Sequence, residues 1–185
     1  WLRAVNATSP PPSGRCLAFF AGAGGVNYPT RRSMAAAFAS SSLPMCGPTF
    51  LPPAGAPPGT PCHFVTLERL TVPGQYVQGT TSCDFCLMPR GKAVWSPRIA
   101  EGVLAGCIPV VVADGYWLPF ACFFDWRAFS VVVPEAEVGR LPEILGRVPP
   151  EERARMRARL LEIRAHFAYA HPRKVTPARP ACDPP

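Results

Sequence analysis

Phe85-Cys86-Leu87-Met88-Pro89, then Ser96-Pro97-Arg98, then Gly106-Cys107-Ile108-Pro109-Val110-Val111-Val112-Ala113 form the stretch on which the fold turns. The first run is short, apolar and closed by proline, which spells a buried strand. Ser96 suits a helix N-cap, and Pro97 suits the first helical position, where a missing N–H is no loss. Arg98 to Ala105 continues as helix, and Gly106 can take the left-handed conformation that stops one. Cys107 to Ala113 is continuously apolar and β-branched, the pattern of a strand buried on both faces. Strand, helix and strand in this order predict a parallel sheet.

The alternation extends outward. Cys16 to Ala21 reads as a strand ending in the loop Gly22-Ala23-Gly24-Gly25, and Arg31 to Ala39 as a helix. Cys62 to Leu67 reads as a strand and Tyr76 to Thr81 as a weak helical turn. Downstream, Asp114-Gly115 is a turn, Ser130 to Val133 a strand, and Glu135 to Arg147 a helix interrupted by Pro142. Pro149-Pro150-Glu151-Glu152 opens a long helix reaching about Ala168, with its acids first and its arginines later, as the helix dipole favours. The expected fold class is α/β, a Rossmann-like parallel sheet flanked by helices, over residues 15–169. Residues 1–14 read as a linker, 41–61 as an irregular Pro-rich insertion, and 170–185 as a disordered Pro-rich tail.

The 185 residues can bury a core without metals or disulfides. A hydrophobic content of 48% excludes wholesale disorder, and 25 Pro with 15 Gly exclude an all-helical bundle. No apolar run approaches the ~18 residues a membrane helix needs. The net charge of +7 attracts anions such as phosphates, nucleic acid or acidic glycans. The Arg-rich C-terminal helix lacks the interleaved aromatics of single-strand binders, so no nucleic-acid partner is expected. The 8 Cys point to an oxidising compartment. Cys83-Asp84-Phe85-Cys86 is a lone CxxC with no second pair, so no metal site is expected. Asn6-Ala7-Thr8 is a glycosylation acceptor sequence and fits a secretory route.

Ligands of parallel α/β sheets bind in the loops at the carboxyl ends of strands. Here those loops are Gly22 to Arg32 and Pro89 to Ser96. The second carries Arg90 and Lys92, with Arg98 just inside the following helix, and its N–H groups add partial positive charge; together they can hold a diphosphate without metal. Arg98 and Glu101 share a helix face. Either one meets phosphate while the other accepts hydrogen bonds from sugar hydroxyls, or the two pair with each other. The first loop matches only the opening of GxGxxG. Asn27 replaces the third Gly, and Tyr28-Pro29 follow instead of a helix, which argues against a nicotinamide-dependent oxidoreductase. That loop reads as plain and flexible. There is no HExxH or GxSxG, and His63, His166 and His171 read as structural or surface residues. Trp117-Leu118-Pro119-Phe120 and Asp125-Trp126 read as rim and core packing, with an aromatic platform for a sugar ring as the alternative.

Residues 84–133 resemble the exostosin family, inverting glycosyltransferase family 47. The resemblance rests on Phe85-Cys86-Leu87 with Pro89 and Gly91, Ser96-Pro97-Arg98 with Glu101, and Gly106-Cys107-Ile108-Pro109-Val110. It continues through Leu118-Pro119-Phe120, Asp125-Trp126 and Phe129-Ser130-Val131. A fainter likeness, Leu17-Ala18-Phe19-Phe20-Ala21-Gly22 with Arg31 or Arg32, extends it upstream, and Arg153 and Met156 to Phe167 fit the terminal helix. The resemblance implies the C-terminal, donor-binding half of a GT-B fold. It implies transfer of a sugar from a UDP-sugar to a glycan or cell-wall polysaccharide with inversion; the loop cations, with no paired-carboxylate motif near them, predict that no metal is required. It also implies the lumenal side of the Golgi membrane, a membrane anchor upstream of this fragment, and assembly with another glycosyltransferase.

Arg90, Ser96, Arg98 and Glu101 thereby become donor-binding residues, with the catalytic residue unassigned. Cys86 and Cys107 match the family's Cys positions and are expected to pair; adjacent strands of a βαβ unit bring such residues within disulfide reach. The chain departs from the family at Cys83, where Ser is frequent, and at Ala100-Glu101-Gly102, where Glu-Ala is usual. With no acceptor half, the fragment alone is expected to be inactive. The alternative is a non-catalytic glycan- or nucleotide-binding module of the same fold.

Overall fold

The computed structural model describes residues 16–68 and 70–168. The expected linker at 1–14 and tail at 170–185, with Asn6, His171 and Cys182, lie outside the described residues. The elements are β1 (Cys16–Ala21), α1 (Pro29–Ala39), β2 (Cys62–Thr66), α2 (Gln75–Ser82), β3 (Cys83–Pro89), α3 (Arg98–Ala105), β4 (Ile108–Val112), β5 (Val131–Val132), α4 (Leu141–Gly146) and α5 (Pro150–Ile163). The strands form one sheet in the order β2-β1-β3-β4-β5, and every pairing is parallel. The expected α/β parallel sheet is therefore present. Chain direction across the sheet reverses between β1 and β3, which makes the carboxyl ends of those strands the topological switch point.

β1, β3 and β4 are buried along their whole length, as central strands covered on both faces must be. α3 starts one residue later than expected: Pro97 stands at the N-cap position with no side-chain cap bond, and Ser96 just before it accepts from the Arg98 N–H through its Oγ at 3.4 Å. Gly106 ends that helix at φ 74°, and the Cys107 N–H donates back to the Gly102 carbonyl at 3.0 Å. α3 buries Ile99, Gly102 and Val103, and α5 buries Met156, Leu160 and Ile163, each set on one helical face.

Tertiary packing altered several local expectations. The weak turn at Tyr76 is a full helix, because α2 lays Gly79 against the Phe19 ring, leaving no room for a side chain. Tyr28-Pro29 do not displace a helix: Pro29 opens α1 directly, with its missing N–H in the first turn. Pro142 likewise sits in the first turn of α4, after a 3₁₀ helix at Glu135–Arg140, rather than breaking a longer helix. The strand expected at 130–133 shortens to Val131–Val132, as the Ser130 hydroxyl donates to the Trp126 carbonyl at 2.6 Å. Residues 41–61 hold no regular helix or strand, as expected, but they are anchored. Phe50 is fully buried, with its ring 4.9 Å from Phe64 and 5.7 Å from Phe19.

Covalent and ionic ties hold the strand starts together. Disulfides join Cys16 to Cys83, Cys46 to Cys62 and Cys86 to Cys107, with Cα separations of 4.4, 5.1 and 5.7 Å. The last is the expected pair. Cys16 and Cys83 are register partners on adjacent strands, and Cys83 and Cys86, an odd number of positions apart, bond to different partners. Asp84, buried in β3, accepts from Arg153 at 2.9 Å and from Arg157 at 2.7 Å, which clamps α5 to the sheet.

Candidate functional site

The loops after β1 and β3 meet at the switch point, and two arginines meet with them. Arg98 leaves the first turn of α3 and donates to the carbonyl of Ala21, the last residue of β1, at 3.3 Å. Arg31 leaves the first turn of α1 and donates to the Ala23 carbonyl at 2.9 Å. The guanidinium carbons lie 5.5 and 5.6 Å from the centroid of the Phe20 ring, so both cations share one aromatic neighbour. The Tyr28 ring covers Arg31 at 4.5 Å.

Neither guanidinium makes an ion pair among the described residues. Arg31 is only 8% exposed, and its Nε is buried with no hydrogen-bond partner. Burial first, and the Arg98 charge second, lower its pKa from the ordinary arginine value. Two cations held together with an unused buried donor and no carboxylate are costly unless an anion joins them. Gly22 and Gly91 make room for this arrangement: a Cβ at either would come within 2.7 Å of the Arg98 or Arg31 Nη2, respectively.

Glu101 does not pair with Arg98. Its Oε2 accepts from the Tyr76 hydroxyl at 2.8 Å, which orients the carboxylate. Burial first, then the Glu101 charge, push the Tyr76 hydroxyl well above its ordinary value, so it remains a donor. Ser96 serves the α3 N-terminus. Arg90 stands apart from Arg98, paired with Glu135 at 3.3 Å and half-exposed.

Glu135 is the hub of a second group. It accepts from the Thr30 hydroxyl at 2.7 Å and the Asp114 N–H at 3.0 Å, while its own N–H donates to Asp114 Oδ1 at 3.1 Å. Burial tends to raise its carboxyl, but the Thr30, Asp114 and Arg90 interactions outweigh it and hold the group below the ordinary value. Thr30, Arg90, Lys92 and Glu135 border a cleft of about 490 Å³.

Of the residues expected at the site, Arg98, Glu101 and Ser96 come together at the start of α3, and Arg90 joins the neighbouring cleft. Sequence reasoning passed over Thr30, Tyr76 and Glu135 and gave Arg31 only a faint alignment. The rule of strand ends could have found Thr30, Arg31 and Glu135, which all follow carboxyl ends of strands. No local signal marks Tyr76, which arrives from the preceding crossover helix. The first loop, read as flexible, is bound into the site by Gly22, Ala23 and Arg31.

A probable glycosyltransferase of Arabidopsis thaliana is 41% identical over 90 residues, which are 49% of this chain and 17% of that protein. A probable glucuronosyltransferase of Oryza sativa subsp. japonica is 48% identical over 80 residues, 43% of this chain and 19% of that protein. A probable β-1,4-xylosyltransferase of Arabidopsis thaliana is 46% identical over 79 residues, 43% of this chain and 19% of that protein. The matched stretch thus spans about a fifth of each relative's length. The family model described as the exostosin GT47 domain matches residues 2–148, and this chain belongs to that family.

Proposed function

We propose that this chain is the donor-binding part of a glycosyltransferase that moves a sugar from a UDP-sugar to a glycan or cell-wall polysaccharide with inversion. The observation that carries the reading is the Arg31–Arg98 pair: two converging cations, unpaired by any carboxylate, at the mouth of two helix N-termini. The diphosphate of the donor supplies the missing negative charge. Glu101, oriented by Tyr76, accepts hydrogen bonds from the ribose hydroxyls.

In the transfer, an acceptor hydroxyl oxygen attacks the anomeric carbon from the face opposite UDP. The bond from that carbon to the diphosphate oxygen breaks, its electron pair leaves with UDP, and the hydroxyl proton passes to a base that these residues do not identify. Charge grows on the leaving diphosphate, and Arg31 and Arg98 are preorganised against it. The guanidinium pair takes the place a metal ion holds in other nucleotide-sugar sites, so the donor needs no divalent ion. The domain serves as the C-terminal half of a GT-B enzyme on the lumenal side of the Golgi membrane, with the anchor in another part of the protein and a second glycosyltransferase as partner. The disulfides suit that oxidising compartment.

Calorimetric titration of the chain with UDP, with and without chelator, tests the reading. UDP binds equally in both, and UMP, one phosphate shorter, binds more weakly. Arg31→Ala and Arg98→Ala each weaken UDP by about 1.5–3 kcal/mol, the range for hydrogen bonds to charged groups. Absence of UDP binding, its loss on chelation, or unchanged affinity in both variants overturns it.

A further inference from the structure

Opposite charges three residues apart on one helical face normally meet. This chain follows the rule at Glu137 with Arg140, Glu152 with Arg155 and Arg159 with Glu162, each an ion pair. Arg98 and Glu101 in α3 have the same spacing, and among the described residues they do not pair with each other. The Arg98 guanidinium turns instead to the Ala21 carbonyl and the Phe20 ring, and the Glu101 carboxylate turns to the Tyr76 hydroxyl. Tyr76 and Arg98 line one small cavity with Phe20 and Met88, so the phenol stands between the two ions. Its acidity agrees: burial first, and the Glu101 charge next, push the hydroxyl up, while the Arg98 charge pulls it down.

We propose that Tyr76 is a positioning residue that keeps Arg98 and Glu101 apart and so holds the Arg98 guanidinium open to the diphosphate of the donor. This rests on the glycosyltransferase reading above. A phenol hydroxyl has one proton to give and lone pairs to accept with. The proton goes to Glu101, and the oxygen is left towards the Arg98 cation. Take the hydroxyl away, and the carboxylate loses its donor while an unpaired cation stands on its own helix face. The two then close into the pair that their spacing favours, and a diphosphate has to break that pair before it can bind Arg98. The separation resides in one oxygen atom. Phe at this position keeps the ring, which packs edge-on against Phe19 at 5.6 Å, and removes only the group between the ions.

Two measurements on the full chain test this. A double-variant cycle in urea unfolding, built from Arg98→Ala, Glu101→Gln and their combination, reads the interaction between the two ions without any ligand. Their coupling rises by about three-fold or more in the unfolding constant when the cycle is repeated in Tyr76→Phe. Calorimetric titration with inorganic pyrophosphate reads the consequence. Tyr76→Phe weakens pyrophosphate by about five-fold or more, and the same substitution made in Glu101→Gln costs less than about two-fold, because no carboxylate is left to capture Arg98. Coupling no larger in Tyr76→Phe than in the parent overturns the proposal. A pyrophosphate loss of equal size in both backgrounds also overturns it, since Tyr76 then supports the fold alone. Coupling that appears while the parent binds neither pyrophosphate nor UDP leaves Tyr76 as the separator and removes the nucleotide reading, so the two failures are distinct.

Discussion

Single side chains at this protein's core are tuned by burial, and His63 shows the consequence most directly. It lies in β2 with its ring 5.0 Å from Phe38, is buried, and has an unpartnered Nδ1. Burial lowers its pKa from the ordinary histidine value. The unfolded chain takes up a proton there near pH about 6.5, whereas the folded protein does so only at lower pH. His63 therefore leaves stability untouched above that pH and subtracts from it as the pH falls towards the folded value. Urea midpoints measured from pH 7 to pH 5 decline, and His63→Leu flattens the decline. An equal slope in both proteins removes His63 as its source. Glu135 acts in a lower window: its depressed pKa adds stability that is present above about pH 4.3 and lost as the pH falls through its folded value.

At the scale of elements, the attachment of α5 to the sheet depends on charge as much as on its apolar face. Asp84 holds Arg153 and Arg157 from a position only 7% exposed. Arg153 also lies over the Phe85 ring at 5.8 Å. Removing Asp84 leaves two largely buried cations without their carboxylate, and breaking a buried pair of this kind costs about 3–5 kcal/mol. Asp84→Ala should lose that much in urea unfolding. Glu152→Ala, which breaks an exposed pair with Arg155 on the same helix, should lose less than about 1 kcal/mol. Equal losses would show that the apolar stripe of Met156, Leu160 and Ile163 alone holds α5.

The whole molecule divides its sheet into a fastened end and a working end. Disulfides and the Asp84 clamp gather near the strand starts, and the arginines, glycines and clefts gather at the carboxyl ends. The Cys16–Cys83 bond closes a sequence separation of 67 residues and the Cys86–Cys107 bond one of 21. In the chain-entropy account these contribute about 4 and about 3 kcal/mol. Cys16→Ala with Cys83→Ala should therefore lower stability more than Cys86→Ala with Cys107→Ala, read by denaturant titration under non-reducing conditions. The reverse order would show that the shorter bond, which brackets α3, carries more than loop entropy.

The sequence by itself determined the sheet, its parallel sense, the ends of α3, the Cys86–Cys107 pair and the family. Each rests on local information: apolar runs of strand length, a Ser-Pro helix opening, a stopping glycine, or a motif with fixed spacing. It also placed Arg98 and Glu101 at the start of α3, because spacing along one helix is itself local. Only the tertiary structure decided what those residues meet. Tyr76, not Arg98, takes the Glu101 carboxylate, and Arg31 reaches across from the first turn of α1 to stand beside Arg98. Thr30 from the first turn of α1, and Arg90 and Asp114 from the loops after β3 and β4, converge on Glu135. Such partners lie far apart in the chain and are joined only by the strand order, which brings β1 and β3 side by side. The physical reason is that short-range propensity fixes elements, whereas the electrostatic partner of a charge depends on which strand ends the sheet sets next to each other.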